Sequence, residues 1–291
     1  MGKGLGQVVL LLFLFVVPQQ LFAAEQGIID VFVSIPPQKW LCEHLGGEHV
    51  KTSLLLTKGQ EPHAFDPSPR QIRALSGADL FFTVGLVFEQ ELIRRLQTGA
   101  TNLQIVDSSK NIEKIPMDTS GHGHNATLDP HVWLSPYNLK SMAEVMAAAL
   151  AEKDPDHEQF YRNNLLRIND QLDELDRNIQ KKLSPYKGTS FFVFHPAFGY
   201  FANRYKLHQV AVETGGKSPT PKQLFALIGK ARSTGVKVIF VQPQFDPRSA
   251  KSVAKGIGGK VVPLDSLAEN VVENMGSMAD EIANALQRIK K

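Results

Sequence analysis

Short runs of β-branched and aromatic residues alternate with helical patterns along most of this chain, and no other feature constrains the fold as strongly. The predicted strands are residues 28–34, 50–56, 79–84, 103–107, 190–194, 207–212, 236–241 and 260–264. The predicted helices are one that begins at Pro36, and residues 69–76, 88–97, 136–153, 221–233, 247–257 and 271–289. Strands separated by helices pair in parallel through right-handed crossovers. The sequence therefore predicts an α/β fold with mainly parallel sheets flanked by helices.

Residues 155–183 interrupt this alternation with one long amphipathic pattern. Its apolar residues recur at helical spacing, and they are Tyr161, Leu165, Ile168, Leu172, Leu175 and Ile179. A helix of this length reaches about 40 Å. A dimerising coiled coil is the alternative, although the stripe barely reaches the roughly three heptads that such a helix needs. We expect a connector at 155–184 between an N-terminal α/β domain (24–154) and a C-terminal one (185–291), each with a four-stranded sheet.

The N-terminus has the features of an export signal. Lys3 supplies a positive charge, residues 8–17 form an apolar run too short to span a bilayer, and Ala23 and Ala24 offer small residues for cleavage. A retained membrane anchor is the alternative. We expect residues 1–23 to be a signal peptide and the mature chain to act outside the cytoplasm.

Charge and cysteine content exclude some classes of function. The formal net charge is +3 and the basic residues form no stripe, so nucleic acid is not an expected partner. The single cysteine, Cys42, cannot form an intramolecular disulfide, and the fold must therefore depend on packing. Because Cys42 lies in a predicted helix, we interpret it as a small buried hydrophobe rather than a metal ligand.

Three histidines share a local setting near the ends of predicted strands. His63 ends Gly-Gln-Glu-Pro-His, His131 lies in Leu-Asp-Pro-His-Val-Trp-Leu, and His195 follows Phe-Phe-Val-Phe. Asp265 follows Lys-Val-Val-Pro-Leu in the same manner. In parallel α/β sheets, ligands bind beyond the carboxyl ends of the strands. Three imidazoles and a carboxylate suit a tetrahedral Zn²⁺ site, so we predict a metal site between the two domains.

Other polar residues near these positions are weaker candidates for metal ligands. Glu61, two residues before His63, is a candidate for an additional ligand or a hydrogen-bond acceptor. Asp129 is expected to orient its loop. His122 and His124 form a pair that is a candidate for a weak loop site, with a solvated loop as the alternative. Structural roles are expected for the histidines within or beside helix and strand patterns, which are His44, His49, His157 and His208.

The motifs around these residues resemble those of the metal-binding, extracytoplasmic solute-binding proteins of ABC importers for zinc and manganese (cluster A-I). The motifs are residues 61–70 (Glu-Pro-His-Ala-Phe-Asp-Pro-Ser-Pro-Arg), 78–86, 129–136, 195–201 and 264–267, and the likeness spans the mature chain. The chain looks most like the zinc-type, periplasmic branch. That branch often carries a long His/Asp-rich loop, where this chain has only the stretch around His122 and His124.

The resemblance implies two α/β domains joined by one long rigid connector helix, with the metal in the cleft between them. It implies His63, His131, His195 and Asp265 as the metal ligands. In manganese-type relatives a glutamate replaces the third histidine, so His195 favours zinc, because imidazole suits zinc and additional carboxylates suit manganese.

The implied function is that of a periplasmic, monomeric carrier, not an enzyme, which binds Zn²⁺ as its transported ligand with high affinity. Its implied partner is the permease of an ABC importer in the inner membrane. Alternatives of the same fold are a manganese or iron carrier and a metal-dependent adhesin. A zinc-dependent hydrolase is the alternative from another class, for which Glu61 is the one nearby candidate for a general base.

Overall fold

The computed structural model describes residues 27–96, 102–117, 128–213 and 220–287. The predicted signal peptide and the loop histidines His122 and His124 lie outside the described residues. The strands are β1 Ile29–Val33, β2 Val50–Leu54, β3 Leu80–Thr83, β4 Gln104–Asp107, β5 Ser190–Val193, β6 His208–Ala211, β7 Val238–Val241 and β8 Lys260–Pro263. The α-helices are α1 Pro36–Gly46, α2 Pro69–Ser76, α3 Val87–Leu96, α4 Pro136–Lys153, α5 Glu158–Leu183, α6 Gly199–Tyr205, α7 Pro221–Ser233, α8 Arg248–Gly256 and α9 Val271–Gln287.

Every predicted strand is confirmed, with ends that differ by a few residues at most. Helix α6 is the element that the sequence pattern did not predict, because seven residues are too few to display a helical period. The long helix begins later than predicted: Pro155–His157 form a 3₁₀ turn, and α5 runs for 26 residues from Glu158. The predicted α/β class is correct.

The strands form two four-stranded parallel sheets with the same connectivity. The orders are β2-β1-β3-β4 and β6-β5-β7-β8, and every pairing between neighbouring strands is parallel. Strands β1 and β3 lie side by side at the centre of one sheet, and β5 and β7 do so in the other. The connections that follow these two central strands therefore leave the carboxyl edge of the sheet in opposite directions. Such switch points open a crevice in which ligands bind.

Helix α5 packs against both halves of the molecule. It contacts α1 and α4 on the N-terminal side and α6 and α9 on the C-terminal side. Its buried stripe includes Tyr161, Ile168, Leu172, Leu175 and Ile179, and these residues belong to one apolar core that also contains residues of both sheets. The helix therefore connects the halves as predicted, while the domain limits at 154 and 185 stay a prediction.

Cys42 is fully buried, as the sequence analysis expected. Burial raises the pKa of its thiol to about 12, so the side chain packs as a neutral group. In the described ranges, no helix has both the length and the apolar composition that crossing a bilayer requires.

Shortening Leu172 to alanine tests the packing of α5. Leu172 is 0% exposed, so Leu172→Ala is expected to lower the free energy of unfolding by about 2–5 kcal/mol. Leu166 lies on the same helix and is 63% exposed. Leu166→Ala should therefore change the free energy of unfolding by no more than about 0.5 kcal/mol. Urea unfolding of both variants measures the difference. Equal, small losses would mean that α5 does not pack between the halves.

Candidate metal centre

The structure brings three of the predicted ligands together at the carboxyl edges of the sheets. His63 follows β2, His131 precedes α4, and His195 lies two residues after β5. The Nε2 atom of His195 is 3.2 Å from the Nε2 atom of His63 and 3.2 Å from that of His131. All three ligand atoms lie within 4.8 Å of one another. The two α/β halves thus supply one common cluster.

Buried carboxylates fix the orientation of two of these imidazoles. The Nδ1 atom of His131 is 2.7 Å from Asp129 Oδ1, and that of His195 is 2.6 Å from Glu213 Oε1. An ionised carboxylate only accepts hydrogen bonds, so Nδ1–H is the donor in both pairs. Each Nε2 atom then presents a lone pair to the other histidines, which is the tautomer that metal ligands adopt.

The spacing between the Nε2 atoms matches a tetrahedral ion. When two Nε2 atoms both present lone pairs, their 3.2 Å separation is not a hydrogen bond. Zinc–nitrogen bonds of about 2.0–2.1 Å at tetrahedral angles place neighbouring nitrogens about 3.4 Å apart. The His131–His195 pair is therefore close to the geometry of two metal ligands.

The protein environment favours the neutral form of two of these imidazoles, His63 and His195. Burial lowers the pKa of His195, although the hydrogen bond to Glu213 opposes this effect, and the neighbouring His131 lowers it further. Desolvation at the cavity wall lowers the pKa of His63, and the nearby His195 adds to this shift. Because a protonated imidazole cannot bind a metal, both shifts favour the form that can.

A second layer of contacts holds the three loops in place. Asp129 accepts a hydrogen bond from the backbone N–H of His131 (2.9 Å), which confirms its expected role in orienting the loop. Gln242 binds both the N–H and the carbonyl of His195, at 3.3 and 2.8 Å. The ring of Phe245 stacks on His195 at 4.7 Å.

The backbone at Gly199 lies close to the Asp129 carboxylate. A Cβ atom at Gly199 would lie 2.5 Å from Asp129 Oδ2, which real atoms do not tolerate. The glycine therefore lets α6 begin directly against the carboxylate that orients His131. Tyr200, the next residue, donates its hydroxyl hydrogen to the Asp129 carbonyl at 2.8 Å.

The space between the histidines is small. The cavity is lined by His63, His131 and His195 with Trp133, Gln244 and Phe245, among others, and its volume is about 10 Å³. That is room for a single water-sized particle. An organic substrate needs several hundred Å³, so the cavity suits an ion.

Asp265 and Glu61 lie outside the cluster of ligand atoms. Asp265 Oδ1 accepts hydrogen bonds from Gln244 Nε2 (2.8 Å) and from the backbone of Leu267 (2.9 Å). Gln244 lines the cavity, and its Oε1 atom is buried without a hydrogen-bond partner among the described residues. Glu61 acts on His63 electrostatically, opposing the lowering of its pKa by desolvation. The roles of Asp265 and Glu61 as ligands stay predictions.

Two residues of this site, Glu213 and Gln244, were not predicted from the sequence. Glu213 is the carboxylate that holds His195, and it follows β6 at the carboxyl edge of the sheet. The same strand-end rule that selected His195 and Asp265 would have selected it. Gln244 carried no comparable signal, because an amide after β7 is not a preferred metal ligand.

The chain is similar to known proteins in sequence and in fold. The family described as zinc-uptake complex component A, periplasmic (ZnuA), matches residues 31–290. The chain belongs to the ZnuA family. A crystal structure of ZnuA has 35% sequence identity and a TM-score of 0.84, over 89% of this chain and 100% of that one.

Two relatives extend the comparison. A Chlamydia muridarum protein whose name refers only to metal binding is 30% identical over 256 residues, 88% of this chain and 91% of its own length. The zinc-binding protein AdcA of Streptococcus pyogenes serotype M6 is 29% identical over 84% of this chain, which spans 52% of AdcA. The chain is thus a periplasmic-type metal-binding protein of ABC transport, and the resemblance inferred from its motifs is confirmed.

The depressed pKa values predict a pH dependence of the metal-free protein. His63 and His195 have folded-state pKa values below 6.5. At a pH between the folded-state and unfolded-state pKa of each histidine, the unfolded chain therefore binds more protons than the folded protein. The contribution of these two histidines to the free energy of unfolding is therefore complete above about pH 6.5, and it is lost as the pH falls through their folded-state pKa values. Thermal unfolding at pH 7, 6 and 5 with a chelator measures this loss.

A double variant, His63→Gln with His195→Gln, is the control for that measurement. It lacks both titrating groups and should lose less stability than the parent over the same pH range. Parallel losses in the two proteins would assign the pH dependence to other residues.

Proposed function

We propose that this protein binds Zn²⁺ with high affinity and delivers it to the permease of an ABC importer. The observation that carries the proposal is the convergence of three Nε2 atoms, two of them fixed as lone-pair donors by Asp129 and Glu213. Imidazole donors suit zinc, whereas manganese prefers additional oxygen ligands. The family description and the name of AdcA, both of which refer to zinc, support the choice.

We assign His63, His131 and His195 as three ligands and Asp265 as the fourth. Asp265 is linked to the cavity by its hydrogen bond to Gln244, so its carboxylate has to exchange that partner for the ion. Gln244 has an unpartnered Oε1 atom within the described structure, and we propose that its amide turns away from Asp265 when the ion binds. Glu61 is the competing candidate for the fourth position.

The three histidines differ in solvent exposure, and this difference supports a route by which the ion is captured and released. His131 and His195 are buried, at 4% and 3% exposure, while His63 is exposed. The loop of His63 between β2 and α2 therefore forms the accessible side of the site. We propose that the ion enters and leaves past His63 and that the carboxylate-held pair remains in place.

Metal analysis of protein purified without added metal, followed by zinc and manganese competition, tests the proposed specificity. His195→Glu replaces an imidazole with a harder oxygen donor and is expected to shift the zinc-to-manganese affinity ratio toward manganese by at least about tenfold. His208→Gln, an exposed histidine on β6, is the control and should leave the ratio unchanged. If His195→Glu binds both ions with the parental ratio, His195 is not a ligand.

Paired variants decide the fourth ligand. Asp265→Asn keeps an oxygen that can accept from Gln244 but removes the charge, and it is expected to weaken zinc binding by at least about tenfold, or about 1.4 kcal/mol. Glu61→Gln, the matched change in the competing residue, should weaken it by less. Competition with a chromophoric chelator at pH 7 measures both affinities. The opposite ranking would assign the fourth position to Glu61.

A further inference from the structure

A second cluster of metal-ligating side chains lies at the opposite edge of the first sheet. His49 ends the 3₁₀ turn Gly47–His49, immediately before β2 begins. Asp154 follows α4, and His157 directly precedes α5. The cluster therefore lies at the amino end of β2, whereas His63 follows the carboxyl end of the same strand.

The three side chains are close enough to share an ion. The rings of His49 and His157 stack with centroids 3.8 Å apart, and the Nδ1 atom of His157 is 2.8 Å from Asp154 Oδ2. One ligand atom from each of the three residues lies within 4.8 Å of the others. The sequence analysis gave His49 and His157 structural roles, and it had no means of pairing them.

Helix capping does not explain this arrangement, because the Asp154 side chain makes no capping hydrogen bond to the 3₁₀ turn Pro155–His157. Asp154 Oδ2 accepts hydrogen bonds from His157 and from the Tyr161 hydroxyl, at 2.8 and 2.6 Å. Asp154 is 5% exposed, and its second oxygen, Oδ1, is buried without a hydrogen-bond partner in the described part of the chain. A buried carboxylate oxygen without a partner is costly. A cation bound at this carboxylate would give that oxygen a partner.

The surroundings hold the cluster in place. Gly47 has φ +53°, a left-handed conformation that favours glycine, and a Cβ atom there would lie 2.9 Å from the ring of Phe160. The ring of Phe160 meets the His49 ring edge-on at 4.7 Å. Asn164 donates to the Leu45 carbonyl at 2.9 Å, which ties α5 to the end of α1. The turn Gly47–His49 thus packs directly against α5.

We propose that His49, Asp154 and His157 form a second site for Zn²⁺, separate from the cleft. Two imidazoles and one carboxylate form a donor set that zinc accepts, with water completing the coordination. Both histidines are half-buried and the stacked rings must turn to converge on one ion, so this site binds more weakly than the cleft site. An ion there would link the corner before β2 to the junction of α4 and α5.

Zinc titration of the full mature chain tests the proposal. We expect two equivalents of zinc, one tight and one weak. His49→Gln together with His157→Gln should remove the weak equivalent and leave the tight one. His131→Gln together with His195→Gln should do the reverse. A weak equivalent that survives the first double substitution, or a parent protein that binds only one zinc, would overturn the proposal.

Deletion of residues 119–126 distinguishes this site from binding by His122 and His124. The weak equivalent is expected to remain in the deletion variant, and its loss there would assign it to the loop instead. A measurement on the parent protein removes any dependence on the folding of variants: ¹⁵N-labelled histidine resonances of His49 and His157 should shift between the first and second equivalents of zinc. Unchanged resonances for both histidines would also overturn the proposal.

Discussion

The buried stripe of α5 fixes the distance between the two sheets, and the metal centre depends on that distance. The stripe packs against α1 and α4 on one side and α6 and α9 on the other, so both halves share one apolar core. Trp133 donates a hydrogen bond to the Ser266 carbonyl at 2.7 Å beside the cavity, and Lys39 pairs with Glu269 at 2.7 Å between the two halves. The three histidine Nε2 atoms that come together in the cleft therefore lie on elements that are held by the same core.

Within that frame, buried carboxylates prepare the histidines for an ion. Asp129 and Glu213 are 0% and 6% exposed, and burying such charges is unfavourable unless each is hydrogen-bonded. The imidazole N–H groups supply one such bond to each carboxylate and are oriented in return, while Asp129 Oδ2 has no partner among the described residues. The orientation is thus achieved during folding, so an ion that binds there need not order these two imidazoles. Preorganisation of this kind strengthens binding because less entropy is lost on association.

The two histidine clusters differ in how they are supported. In the cleft, each buried imidazole has its own carboxylate and both Nε2 atoms face the centre. At the opposite edge, one carboxylate serves His157 and Tyr161 together, and the imidazoles stack face to face. Two imidazoles in the cleft are therefore already oriented, whereas the stacked imidazoles at the other cluster would have to turn before they could bind one ion.

The sequence by itself determined the strands, most helices and the three histidines, because hydrophobic periodicity and position after a strand are local properties of the chain. It could not determine which side chains meet across the fold. Glu213 holds His195 from 18 residues away, and Gln244 stands between the cavity and Asp265, 21 residues further along. His63 and His195 approach each other across 132 residues. Such contacts depend on how two sheets and α5 pack in three dimensions, and a one-dimensional pattern does not encode those distances.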